Sequence, residues 1–429
     1  MTFDFDSSLM AAEVLSAKTA DQMEPVLQRL CRVPEFVTRD DVRGYKLFMK
    51  ALDDAVPHVA GVLALQDYAS AKSNENVCII ATQFYVVGGH TRLAGDISRL
   101  AGTQNVTVIL TDLYGSQPYR AFVEPNIRNS GFYARSMLCL KSPTVLDKIV
   151  ELHNLLHAIR PTRIFLLNHH MDLCAVTATY PFRSVTEFIH HADSVPSVGA
   201  TIGYSAHVDL TPRVFEACRG IGHEPVLTSM WLPPAGPLPK IATPPSVRLR
   251  IATCGHLLKY RHAAARRWSD WVIACLQADP SCDLTHIGPV DDGFRNEIRT
   301  ALTAAGIDPA RYVFAGQASN LRLALANLGA NLFLSSYPDG GLRAMYEAMS
   351  LGIPAISPKD PGERPLMDSP PALPGWAAVQ HPDGMAAAIT HAKAQWPSMQ
   401  TAEYAEIVQQ RLGAFEQYVA GVTVAAETA

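Results

Sequence analysis

The chain is poor in charge and has no long apolar run. Charged residues are 18% of its 429 residues, and the formal net charge is −4. Such a balance argues against general nucleic-acid binding, which needs a basic face. No apolar run reaches the roughly 20 residues that a membrane-spanning helix requires. The opening residues, Met1-Thr2-Phe3-Asp4-Phe5-Asp6, are acidic and lack the basic stretch and apolar core of a signal peptide. The expectation is a cytoplasmic protein that touches a membrane at most peripherally. Gly-x-Gly-x-x-Gly is missing after the first strand of either predicted domain, which speaks against a dinucleotide oxidoreductase. Eight cysteines occur, at 31, 78, 139, 174, 218, 254, 275 and 282, and no pair has Cys-x2-Cys spacing. Cys78 and Cys139 lie in apolar runs, so reduced structural thiols are expected. There is no convincing Asp-x-Asp divalent site; Asp291-Asp292 opens a helix and reads as capping.

What is present is a large apolar inventory, 48% of residues, on a chain too long for one core. Residues 1–75 read as a helical N-terminal extension. Ala11–Ala20, Asp21–Cys31 and Asp40–Ala55 carry helix formers, broken by Pro34 and Pro57. This extension either packs on the first domain or forms a homo-oligomer contact. Order changes at Asn76, and residues 76–235 alternate strands with helices. Val77–Ala81, Val106–Leu110, Arg163–Leu167 and Glu187–Ile189 read as strands, and a helix from Ser142-Pro143 runs to about Arg160. Trp231–Pro245 holds six prolines and reads as a linker. Alternation resumes over 246–400, with strands at Val247–Ala252, Asp283–Ile287, Tyr312–Phe314, Asn331–Leu334 and Ala355–Ser357, and a helix over Arg261–Leu276. Residues 401–429 are a last helix, Thr401–Tyr418, and a tail. The fold class this predicts is α/β, with two doubly wound parallel sheets.

One stretch, Asn331–Pro354, organises the chemistry. The apolar run Leu332-Phe333-Leu334 leads to Pro338-Asp339-Gly340-Gly341, then to a helix with Leu342, Met345, Tyr346 and Met349 on one face. Strand, glycine loop and helix aim unpaired N–H groups and a positive helix end at an anion. Backbone N–H groups of Gly340, Gly341 and Leu342 could hold a diphosphate. Asp339 and Glu347 are carboxylates able to accept two hydroxyl hydrogens each. Gly255, after the first strand of this half, is followed by Lys259 and Arg261, a second anion site. In the first half, Gly88-Gly89-His90-Thr91-Arg92 forms the first strand–helix turn. Two histidine pairs, His169-His170 and His190-His191, stand at strand ends. Adjacent strand residues point to opposite faces, so one of each pair faces a ligand. Their spacing matches no ligand pattern, and no metal is expected.

The acidic-x7-acidic spacing, the paired glycines and the tail Glu347-Ala-Met-x-x-Gly-x-Pro resemble the sugar-nucleotide motif of retaining glycosyltransferases of the GT-B fold, especially glycosyltransferase family 4. The resemblance implies two Rossmann-like domains facing across a cleft. It implies transfer of a sugar from a nucleoside diphosphate sugar, a UDP-sugar, to an acceptor hydroxyl, with retention and with neither metal nor separate cofactor. Glu347 would bind the ribose and Asp339 the donor-sugar hydroxyls. Lys259, with Arg261 as its substitute, would neutralise the diphosphate beside Gly255. Gly88 and Gly89 would approach the donor phosphate or the acceptor. His191 would hydrogen-bond the sugar near the reacting carbon. The sequence differs from the family's commoner pattern in having Asp339 for glutamate and His256 for arginine. The acceptor stays open among a glycan, a lipid-linked glycan and a protein. A non-hydrolysing UDP-sugar epimerase and a non-catalytic sugar-nucleotide-binding protein are the alternatives.

Overall fold

The computed structural model describes residues 3–31, 42–69, 76–85, 89–102, 105–115, 132–228, 230–232, 244–246, 248–261, 264–359 and 373–421. Gly88 and most of the proline-rich linker lie outside the described residues. The chain divides into two compact units, Met1–Trp231 with Ala414–Ala429, and Leu232–Gly413.

The first unit is built on seven strands: β1 (Val77–Ala81), β2 (Val106–Leu110), β3 (Ser136–Cys139), β4 (Arg163–Leu167), β5 (Thr186–His190), β6 (Ala206–Asp209) and β7 (Val226–Leu227). Their order is β3-β2-β1-β4-β5-β6-β7, and every pairing is parallel. β1 is buried along its whole length, as a strand covered on both faces must be. Ile79, Ala81, Val108, Phe165, Leu167 and Ile189 share one core with Phe415 and Val419 of the last helix, Ala402–Val419. Arg163 binds that helix's end through the Val419 carbonyl at 2.6 Å, and Trp231 Nε1 donates to Glu416.

The N-terminal helices are part of this first unit. They run Ser8–Ser16, Ala20–Cys31 and Lys50–Val62. Two carboxylates tie them down. Glu24 accepts the Val145 and Leu146 N–H groups at 3.0 and 2.8 Å, at the start of the helix Val145–Ile159. That position suits a negative charge because the first-turn donors have no intrahelical partner. Asp53 is buried and accepts Gly199 N–H at 2.6 Å, Thr201 N–H at 2.9 Å and the Thr201 hydroxyl at 2.7 Å.

Three local expectations shift. Pro57 does not break its helix but sits inside Lys50–Val62. The buried face of Leu52, Val56, Val59 and Ala60 outweighs the one hydrogen bond that proline removes. The cap of the helix at 145 is Thr144, not Ser142, because its extended backbone lets Oγ1 accept from Asp147 N–H. The long helix expected over Arg261–Leu276 is two pieces, Leu258–Arg261 and Trp268–Ala278, and Asp270 in the first turn of the second accepts the Arg267 N–H at 3.0 Å.

The second unit holds β8 (Arg250–Cys254), β9 (Asp283–Ile287), β10 (Tyr312–Gly316), β11 (Leu332–Leu334), β12 (Ala355–Pro358) and β13 (Trp376–Val379). The order is β10-β9-β8-β11-β12-β13, again all parallel. Trp268, Trp271, Leu284, Phe294, Leu334 and Ile356 centre its core. In both sheets the strand order reverses direction beside the first strand of the unit. Ligands of doubly wound sheets bind at such points, outside the carboxyl ends of the strands. No helix among the described residues is long and apolar enough to cross a membrane.

Candidate functional site

In the second unit the switch point lies between β8 and β11, so the loops that leave these strands must meet. They do so through Lys259 and the glycine pair. Lys259 Nζ donates to the Gly340 carbonyl at 2.9 Å, and Asp339 N–H donates to the Lys259 carbonyl at 3.3 Å. The Ser336 hydroxyl closes the turn on the Asp339 carbonyl at 2.6 Å, with Asp339 itself buried. The helix Leu342–Met349 starts directly after Gly341, has no side-chain cap and has no acidic residue in its first turn. The Gly341 N–H just before it donates to Ser335 Oγ at 3.4 Å. A Cβ on Gly341 would lie 3.4 Å from Lys259 Nζ, so glycine keeps the space before the ammonium group open.

Glu347 sits one turn and a half further along this helix. Arg343 Nε donates to its Oε1 at 3.2 Å, and both side chains are largely buried. This i,i+4 pair fixes the carboxylate's orientation. Cys254, the last residue of β8, is pushed up to about 11 by burial, with Lys259 lowering and Glu347 raising its value. The thiol therefore stays protonated and feels both charges.

Gly255 is held from both sides. Its N–H donates to the Ile287 carbonyl at 3.1 Å, and its carbonyl accepts from His286 Nε2 at 3.2 Å. His286 Nδ1 in turn accepts from the Tyr312 hydroxyl at 2.9 Å, which receives Trp268 Nε1–H at 3.1 Å. This buried chain requires a neutral imidazole, and burial lowers His286 to about 4. Gly288, at φ +147°, is the reason the loop can sit so close: a Cβ there would be 2.1 Å from the Gly255 oxygen. The Gly255 N–H is thus spent on the sheet. Arg261 forks onto Asp291 at 2.9 and 2.8 Å, where Asp291 also caps the helix Asp292–Ala304.

In the first unit the equivalent point lies between β1 and β4. Gly89 opens the helix Gly89–Leu100, with open space where a Cβ would be. His90 donates Nε2–H to the Leu167 carbonyl at 2.8 Å, and His191 donates Nε2–H to the Asn168 carbonyl at 3.1 Å. Their rings lie 4.6 Å apart. Burial lowers His90 to about 4 and lowers His169, His170 and His191 as well. Each is a neutral imidazole at pH 7. With Nε2–H given to a carbonyl, His191 keeps Nδ1 as an acceptor. Below them Asp172 gathers the Thr82 and Thr111 hydroxyls at 2.6 and 2.7 Å, and Thr82 Oγ1 receives His169 N–H at 2.7 Å.

No family model matches the sequence, and no curated protein is similar to it by sequence. Solved structures are. HepE of Anabaena, in complex with UDP and glucose, shares 12% identity at a TM-score of 0.56, over 81% of this chain and 98% of that one. A glycosyltransferase from Rickettsia africae shares 9% at 0.51, over 81% and 99%. The O-GlcNAc transferase of Thermobaculum terrenum shares 12% at 0.50, over 96% of this chain and 82% of that one. The chain has the GT-B fold.

Within this GT-B chain, the structure brings Lys259, Asp339, Gly340, Gly341, Leu342 and Glu347 to one switch point, and it draws Arg261 and the Gly255 N–H into other bonds. Sequence reasoning did not assemble one group. His190, His207, Asp209 and Cys218 converge in the first unit, all buried. The available signal was two polar residues, His207 and Asp209, in a strand that is otherwise core.

Proposed function

We propose that the protein is a glycosyltransferase that moves a sugar from a nucleoside diphosphate sugar, a UDP-sugar, to an acceptor hydroxyl. The supporting observation is Lys259 Nζ on the Gly340 carbonyl at an uncapped, acid-free helix start, at the switch point of a parallel sheet. The diphosphate lies against the first-turn N–H groups of Leu342–Met349 and the Lys259 ammonium. The Glu347 carboxylate, set by Arg343, accepts the ribose hydroxyls, and Asp339 serves the sugar hydroxyls. When the bond from the anomeric carbon to the diphosphate oxygen breaks, negative charge gathers on the departing group. Fixed donors there lower the barrier without reorganising. The ammonium and the helix end supply that positive field, so no divalent ion at the diphosphate is needed and added magnesium or manganese leaves the rate unchanged. His191 is assigned to the sugar near the reacting carbon, with Nδ1 as acceptor. The acceptor hydroxyl attacks from the face the diphosphate leaves, which retains the configuration. Its class, a glycan, lipid-linked glycan or protein, is set by the first unit.

NMR of the earliest product tests this reading. Donor turnover should give nucleoside diphosphate and a glycoside of unchanged anomeric configuration. An inverted product contradicts the mechanism, and a free epimer released without any acceptor contradicts the transferase.

A further inference from the structure

Four side chains in the first unit point their ligand atoms at one spot. His190 Nδ1, His207 Nε2, Asp209 Oδ1 and Cys218 Sγ form a near-regular tetrahedron. The imidazole nitrogens are 3.1 Å apart. Asp209 Oδ1 lies 3.3 Å from each nitrogen. Cys218 Sγ lies 3.5 Å from His190 Nδ1, 3.3 Å from His207 Nε2 and 3.5 Å from Asp209 Oδ1.

Hydrogen bonding alone fits this arrangement poorly. At most one proton can lie between the two nitrogens, and Oδ1 would be the shared acceptor of three groups while Oδ2 has no partner. A hydrogen-bonded cluster also has short and long edges, whereas all six edges here are nearly equal. A common central ion makes them so. Zinc sits about 2.0–2.3 Å from nitrogen, oxygen and sulfur ligands, which sets ligand–ligand edges of about 3.3–3.7 Å in a tetrahedron.

Local structure supplies the convergence. β5 and β6 pair in register, His190 opposite Asp209 and Phe188 opposite His207. These four residues therefore lie on one face of the sheet, and His191 turns to the other. Thr211 caps the helix Pro212–Arg219 directly after β6, and its buried face of Val214, Ala217 and Cys218 lies over that same face. Phe188 packs on both imidazoles, with ring centroids 5.4 and 5.2 Å away, and His223 stacks on His207 at 5.0 Å.

We infer that His190, His207, Asp209 and Cys218 bind one zinc ion. Two neutral imidazoles, one carboxylate and one thiolate carry two negative charges, which the ion neutralises within a buried site. Exposure is at most 6% for any of the four, and all four positions are protein ligands. Such a closed site is structural, with no open position for water or substrate. The ion staples β5, β6 and the following helix, and it fixes the strand end from which His191 projects. The inference does not depend on the transferase reading, and no ligand of the ion is a residue given to the donor.

Full-length protein made in zinc-supplemented medium and passed over a chelating resin should retain one zinc per chain by elemental analysis. Cys218→Ser and His207→Ala should fall below a tenth of that content while remaining folded by circular dichroism. Protein made with cobalt should show a thiolate-to-cobalt charge-transfer band and the intense visible bands of tetrahedral cobalt; this holds whether or not the variants fold. Folded wild-type protein with less than a tenth of a metal per chain overturns the site. So does a cobalt spectrum without the sulfur band, or a folded Cys218→Ser that keeps full zinc content.

Discussion

Lys259 is the first candidate for the diphosphate cation and Arg261 its substitute, and folding separates them. Lys259 reaches the Gly340 carbonyl, whereas Arg261 is forked onto Asp291. Lys259→Ala should therefore lower kcat about 10²- to 10³-fold, the usual loss for a donor aimed at transition-state charge. Arg261→Ala should change kcat by less than about threefold, since its loss touches an exposed pair worth at most about 1 kcal/mol. Steady-state rates of both variants decide it, and equal losses would undo the assignment. His286 makes a second prediction. Burial, aided by the charge of Arg295, lowers its folded value to about 4, although the bond to the Gly255 carbonyl pulls the other way. The unfolded chain takes up the proton first, near pH 6.5. Its contribution is therefore fully present above pH 6.5 and is lost as pH falls toward 4. Denaturant unfolding at pH 7 and pH 5 should show wild type losing about 1–2 kcal/mol more than His286→Gln over that interval. An equal loss in both proteins would show that His286 does not titrate in this way.

At the scale of elements, most of the architecture was readable because both sheets are parallel. Strands buried on both faces leave continuous apolar runs, and Val77–Ala81, Val106–Leu110 and Arg163–Leu167 fall where those runs are. β6 was not readable, because Ala206-His207-Val208-Asp209 puts two polar side chains into a buried strand. That conflict between local pattern and position is where function or strain is expected. β3, β7 and β13 span only four, two and four residues, too few for periodicity to mark them as strands. The anchoring of the N-terminal helices was also invisible, since it depends on partners more than a hundred residues away. Asp53 supplies it by accepting from Gly199 and Thr201. Asp53→Ala leaves the buried Gly199 N–H and the half-buried Thr201 N–H without that partner and should cost about 2–4 kcal/mol. Chemical denaturation measures this, and a change below about 0.5 kcal/mol would mean that the helix Lys50–Val62 is held by apolar packing alone.

At the scale of the whole molecule, each unit repeats one plan, a parallel sheet whose order reverses beside its first strand. The plan explains why a motif read from 24 residues, Asn331–Pro354, could point to a binding site. Reversal forces the loops after β8 and β11 together, so Lys259 need not be near the motif in sequence. The plan does not determine the acceptor, because the described residues at the first unit's switch point are neutral histidines and a glycine rather than a charge pattern that selects one. The helix start at Leu342, Lys259 and Glu347 together form the proposed nucleoside diphosphate sugar site. Titration calorimetry of UDP-sugars against wild type and Glu347→Ala tests it most directly. Binding to wild type should be saturable and should weaken about 10- to 100-fold in the variant by loss of hydrogen bonds to a charged group. Unchanged affinity in Glu347→Ala, or no binding of any UDP-sugar to the folded wild type, would contradict it.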